Sequence, residues 1–328
     1  AGSTGTHGAA AAPDGAADAQ AVLVYNPAGT ARTAACEAGV IFAKPEGLAM
    51  FNGTGDPIPF EVTGQTALDK GRYEAKVRFI AEEVPALGYR TYYAVPKGLV
   101  TKTSTASDPQ IENDFFTVGI SRDTGAITLF EFKNTRRNCA AGPLNEALLL
   151  AEDSAKTKDG AELWTEGGAA APGAPSEIRL ETNDIRQSLI VRAPLGEGTI
   201  TRTITLYRGV PRLECAVRYE GALDGKLLAV AFQPGASGRV PVFGAPFGAS
   251  VGAAGQGALD YRTENRWNRS GHGAQPALGW AALAPGDYIR IASGGMVPLA
   301  PAAVVYGDDP LLRDAAEAVV KAFAKRGI

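Results

Sequence analysis

The feature that most constrains this chain is a series of short segments in which apolar and polar side chains alternate, each stopped by a turn-forming residue. In "RYEAKVRF", residues 72–79, Ala75, Val77 and Phe79 fall on one side, and Glu74, Lys76 and Arg78 on the other. A period of two is the spacing of a half-buried strand. "RLECAVRYE", residues 212–220, repeats it, with Leu213, Cys215, Val217 and Tyr219 predicted inward. "VLVYNP" is halted by Asn26-Pro27, and "VPALGYRTYYAVP" turns at Gly88 between Pro85 and Pro96. Forty glycines and 21 prolines supply such breaks along the chain. Many short strands with regular punctuation predict a mainly β chain built as a sandwich.

The stretch "IENDFFTVGISRDTGAI", residues 111–127, is the clearest hairpin. Phe116, Val118 and Ile120 share a face, Ser121–Gly125 form the loop, and Ile127 and Leu129 resume the apolar face. Gly125 suits the position of positive φ that closes such a loop. Residues 152–177 are polar, rich in Gly and Pro and interrupted only by Leu163-Trp164, so they read as a long loop. "TITRTITLY" and "RLECAVRYE" then form two strands joined through Arg208, Gly209, Val210 and Pro211, and "KLLAVAFQP" follows.

Only the C-terminus carries a helical pattern. After a strand in "AAVVYG", Asp308 or Asp309 caps a helix with Pro310 in its first turn, and Leu312, Ala316, Val319, Val320 and Phe323 make a stripe at helical spacing. The predicted organisation is a flexible tail over 1–20, a small β-domain over 21–100, a β-supersandwich over 108–295 and a strand-helix unit over 302–328. That last unit is compatible with the start of another domain.

Several function classes receive no support. The net charge is −3 with Lys and Arg dispersed, so no basic footprint for nucleic acid and no polybasic membrane-binding segment is present. No apolar run is long enough to span a bilayer, and the first residues lack the basic and apolar regions of a signal peptide. The compartment stays open. Cys36, Cys139 and Cys215 are widely spaced, which gives no zinc motif and no disulfide framework. Cys215, alternating with Leu213 and Val217, reads as a buried structural thiol.

The richest local chemistry is "DYRTENRWNRSGH", residues 260–272. Tyr261, Asn265, Arg266, Trp267, Arg269 and His272 combine an aromatic plane with amide, guanidinium and imidazole groups. A sugar ring stacks its apolar face on such a plane and hydrogen-bonds its hydroxyls around it. The same set suits a polysaccharide lyase, whose β-elimination needs a base and a neutralised uronate. A polar surface loop anchored by one Trp is the simpler reading and is preferred to sugar contact, with lyase catalysis last. Trp164 is a second candidate for glycan contact, whereas Trp280, in the apolar "LGWAAL", reads as core.

The order of segments resembles the C-terminal region of family 38 glycoside hydrolases, the α-mannosidases. "VLVYNPAGTART", "EEVPALGYRTYYAVP", "IENDFFTVGISRDTGAIT", "LNEALLLAEDSAKTKDGAELW" and "TITRTITLYRGVPRLECAVRYE" with "KLLAVAFQP" are similar to that family's landmarks, in the family's order, from about Val22 to Leu283. The resemblance implies a galactose-mutarotase-like supersandwich that follows a catalytic α/β barrel. It implies a parent reaction of zinc-assisted, retaining hydrolysis of α-mannosides, with zinc and an Asp nucleophile in the barrel. The partners implied are that barrel and an α-mannoside-containing glycan. The family's His-x-Asp zinc pair has no counterpart here: His7 and His272 are each followed by Gly-Ala. No catalytic residue, metal ligand or cofactor is therefore assigned to this chain. The expectation is a non-catalytic, carbohydrate-associated portion of such an enzyme. The alternatives are a free-standing carbohydrate-binding or structural module and, third, a lyase using residues 260–272.

Overall fold

A computed structural model describes residues 19–42, 47–96, 103–152, 164–234, 240–245, 248–251, 280–284, 290–293 and 303–306. They are almost wholly strands and turns, and the one helical turn among them is a 3-10 turn at Asp69–Gly71. The chain divides into two compact units.

Unit one holds residues up to Ser104 with the short segments Thr182–Arg186 and Tyr207–Val210. Its strands are β1 (Gln20–Asn26), β2 (Arg32–Phe42), β3 (Leu48–Phe51), β4 (Pro57–Ile58), β5 (Phe60–Ala67), β6 (Tyr73–Val84) and β7 (Gly88–Pro96). They form two antiparallel sheets, ordered β1-β7-β3-β4 and β2-β6-β5. The alternation read from the sequence holds on β6: Ala75, Val77, Phe79 and Ala81 are buried, and Lys76 is exposed. These side chains meet Leu48, Met50, Tyr92 and Ala94 of the other sheet in one core, with the Phe79 and Tyr92 rings 4.8 Å apart. Asn26 ends β1 as expected. Its buried amide donates to the carbonyls of Thr30 (2.7 Å) and Val84 (3.0 Å), and its Oδ1 accepts from the Ala28 N–H. At the β6–β7 turn Leu87, not Gly88, takes positive φ (49°), while the Gly88 N–H bonds Pro85 O.

Unit two holds residues 105–181, 187–206 and 211–328. Its strands begin with β8 (Ser104–Ala106), β9 (Gln110–Glu112), β10 (Phe116–Ile120), β11 (Ile127–Phe132), β12 (Arg137–Asn138), β13 (Ala140–Glu152), β14 (Trp164–Ala170), β15 (Glu177–Thr182) and β16 (Arg186–Leu195). They continue with β17 (Gly198–Tyr207), β18 (Arg212–Glu220), β19 (Lys226–Pro234), β20 (Val240–Ala245), β21 (Gly248–Val251), β22 (Trp280–Ala284), β23 (Arg290–Ser293) and β24 (Ala303–Tyr306). One sheet runs β14-β13-β11-β10-β9, with β12 on β11 and β19 on β13. The other runs β21-β20-β22-β23-β24-β18-β17-β16-β15-β8. Phe116, Val118, Phe130 and Phe132 of the first sheet share a core with Leu189, Val191, Ile204, Leu213 and Cys215 of the second. Two sheets burying their inner faces against each other make a sandwich.

Two expectations need correction. The register slips between Gly119 and Ile120, where Ile120 pairs with Ile127 but Gly119 pairs with Leu129. The extra residue flips the alternation, so Phe130 and Phe132 take the buried face and Leu129 is only half-buried. The long loop over 152–177 is also interrupted: β14 occupies Trp164–Ala170 and pairs antiparallel with β13, Trp164 opposite Glu152. At the C-terminus, the strand in "AAVVYG" is β24, which lies between β18 and β23. The helix expected after it falls outside the described residues.

Candidate functional site

Of the residues singled out for glycan contact, Tyr261, Asn265, Arg266, Trp267, Arg269 and His272 lie outside the described residues. Trp164 sits at the first position of β14 rather than in a loop. Only Trp164 of the seven falls within the described residues, and the candidate site that these residues show was not anticipated from sequence.

That site is a cavity of about 290 Å³ in unit one. Ile80 and Glu82 come from one face of β6, and Arg90 and Tyr92 from one face of β7. The segments 182–186 and 207–210 add Asp184, Ile185 and Arg208. The two segments are tied together by the Arg208 N–H, which donates to Ile185 O at 2.9 Å. The first is a tight turn in which Asn183 Oδ1 accepts from the backbone N–H groups of Ile185 and Arg186, both at 3.0 Å.

An ion pair fixes that turn. Arg186 reaches Glu61 on β5 with two parallel bonds, Nε to Oε2 at 2.9 Å and Nη2 to Oε1 at 2.6 Å. Fork-to-fork pairing of this kind adds orientation as well as strength. Arg78 approaches the same carboxylate at 3.5 Å and lies 6.0 Å from the centre of the Tyr207 ring. Burial works to raise the Glu61 pKa, but the Arg186 hydrogen bond and the charges of Arg186 and Arg78 outweigh it, so the net shift is downward.

At the cavity wall, Tyr92 is 3% exposed. Burial raises its pKa, the Arg90 charge and a bond from the Glu82 backbone oppose that, and the phenol stays protonated. The side chains of Glu82, Asp184 and Arg208 are solvent-exposed. Asn52 at the rim is occupied: its Oδ1 accepts from the N–H groups of Thr54 (3.0 Å) and Asp56 (2.8 Å) in its own turn. Among the described residues no three His, Cys, Asp or Glu side chains converge as metal ligands. No helix among the described residues is long and apolar enough to cross a membrane.

No family model matches the sequence, and no curated protein matches it. Solved structures do. The chain is similar to an α-mannosidase from Enterococcus faecalis V583 with a TM-score of 0.62 at 13% identity, over 88% of this chain and 39% of that one. It is similar to a protein of glycosyl hydrolase family 38 from Enterococcus faecalis with a TM-score of 0.58 at 14% identity, over 88% of this chain and 40% of that one. At such identities the likeness is one of fold. The chain spans about two fifths of the length of these neighbours.

Proposed function

We propose that this chain is the β-rich, non-catalytic portion of an α-mannosidase-like glycoside hydrolase, which packs on a catalytic α/β barrel and contacts glycan. The observation that carries the reading is the pairing of coverages: nearly all of this chain superposes on proteins more than twice its matched length. Fold alone does not license function, but the order of sequence landmarks points the same way. In this reading the zinc and the nucleophile belong to the barrel, and no residue here performs a step of the hydrolysis.

An exposed apolar face supports the packing role. Tyr25 of β1 stands opposite Tyr89 of β7, with Leu23 two residues along and Leu87 in the adjoining turn. All four are at least half exposed. Large apolar groups clustered at a surface mark an interaction site.

The first test is hydrolysis of an aryl α-mannoside by the chain alone with added zinc. No turnover is expected. Turnover would overturn the non-catalytic reading and make residues 260–272 the first targets for mutation. The second test is co-expression with a family 38 catalytic barrel. Co-purification is expected, and its loss in a Leu23→Asp, Tyr25→Asp variant would locate the contact on β1.

A further inference from the structure

The cavity of unit one is unlike either a salt-bridge network or a hydrophobic void. Two carboxylates, Glu82 and Asp184, and two guanidinium groups, Arg90 and Arg208, face it. Their formal charges sum to zero, so the lining as a whole favours neither an anion nor a cation. Among the described residues no ion pair or side-chain hydrogen bond engages Glu82, Asp184 or Arg208. Arg90 spends only its Nε, on Glu83 O at 3.0 Å. The four groups are therefore available to a ligand that both donates and accepts hydrogen bonds. Tyr92, 3% exposed, adds its largely buried phenol side chain to the wall.

Between these polar groups lies apolar surface from Ile58, Pro59, Ile80 and Ile185. A volume of about 290 Å³ is at the small end for ligand pockets, which run from about 300 Å³ upward. An apolar wall, two carboxylate acceptors and two guanidinium donors in the lining, and zero net formal charge together match a ring compound with one apolar face and hydroxyls at its edge.

We propose that this cavity is a saccharide-binding subsite, taking one or two neutral sugar units, with Glu82 and Asp184 accepting from sugar hydroxyls, Arg90 and Arg208 donating to them, and Ile80 and Ile185 under the ring. This deepens the carbohydrate-associated reading above and rests on it, but moves the contact from residues 260–272 to unit one. The ion pair of Glu61 with Arg186 is its positioning element, because it holds the turn that presents Asp184 and Ile185.

The test titrates the full chain with methyl α-mannoside, with a two-sugar α-mannoside and with mannuronate, followed by calorimetry and by NMR shifts. Glu82→Gln and Arg208→Ala, both at exposed positions, are run beside Trp267→Ala, with circular dichroism to confirm folding. The expected result is binding of the neutral sugars, weakened about tenfold by Glu82→Gln or by Arg208→Ala, and unchanged by Trp267→Ala. Mannuronate should bind no better than the neutral sugar. Neutral sugar binding that survives both cavity variants, or that is lost with Trp267→Ala, would overturn the subsite while leaving the carbohydrate-associated reading in place. Preference for mannuronate would overturn the neutral-ligand assignment. Absence of binding to any sugar would also overturn the subsite, and co-purification with a catalytic barrel would then show whether the accessory reading stands without it.

Discussion

The two units bury charge in opposite ways. Unit one keeps Glu61 and Arg186 together as a bidentate pair, each side chain about 11–12% exposed. Unit two buries a cation to which, among the described residues, no carboxylate is bonded. Arg202 on β17 is 0% exposed and donates instead to the backbone carbonyls of Thr124 (2.6 Å) and Asn145 (3.2 Å). Burial lowers its pKa to about 10, against the opposing charge of Glu146, so it remains protonated at neutral pH. The first carbonyl belongs to the loop of the β10–β11 hairpin, and the second to a fully buried residue at positive φ where β13 slips register. The comparison teaches that one sandwich spends a buried charge on positioning a turn beside a cavity. The other spends it on holding a hairpin tip against the core. Asn145 Nδ2 and Oδ1 and Arg202 Nε find no partner among the described residues, so this second arrangement is the less completely satisfied of the two.

The largest effect should come from Gly125→Ala. Gly125 has φ +66°, and a Cβ there would collide with Val191 and Arg202. Overpacking together with a left-handed alanine predicts a loss of about 2–4 kcal/mol in unit two. Cys139 and Cys215 report that loss: both are buried, and burial pushes the Cys215 thiol up to about 12. In the variant they should react with iodoacetamide at lower urea than in the parent, as read by mass spectrometry. Unchanged labelling would mean that Arg202 does not hold the hairpin as described.

Glu61→Ala comes next. It removes the bidentate carboxylate partner of the partly buried Arg186 and should cost unit one about 1–3 kcal/mol, seen as a lowered urea midpoint by circular dichroism. The same pair predicts a pH dependence. Because the folded-state pKa of Glu61 is lowered from 4.5, its contribution is fully present above that value and is lost as pH falls through the lowered one. Glu61→Gln should flatten that acid limb, and an unchanged limb would remove the pair from the account.

Arg202→Met should be milder, about 1 kcal/mol, because removing a buried cation also removes its desolvation cost and leaves no counter-charge stranded. A loss as large as that of Gly125→Ala would show that the carbonyl bonds dominate. The smallest effect should come from Leu23→Ser with Tyr25→Ser. At exposed positions these should change stability by no more than about 0.5 kcal/mol, while raising solubility if the face is meant to be covered. A large stability loss would mean that the face contributes to unit one itself.

Alternation along single strands determined much of this fold. The inward faces of β6 and β18 could be read residue by residue, because a strand places successive side chains on opposite sides regardless of its neighbours. The turns at Asn26-Pro27 and Gly125 were legible for a similarly local reason: proline and glycine restrict or release φ within their own residue. Pairing was not legible. The slip at Gly119 and Ile120, which turned Leu129 away from the core, exists only between two strands. So does β14, whose glycine-rich sequence reads as loop until β13 supplies its hydrogen-bond partners. The candidate site belongs to the same class. Glu82, Arg90, Asp184 and Arg208 stand up to 126 positions apart, each unremarked in its own segment, and no spacing rule joins them. Local stereochemistry wrote the strands into the sequence. Which strands met, and which charges they gathered around one cavity, was decided only when the sheets closed on their cores.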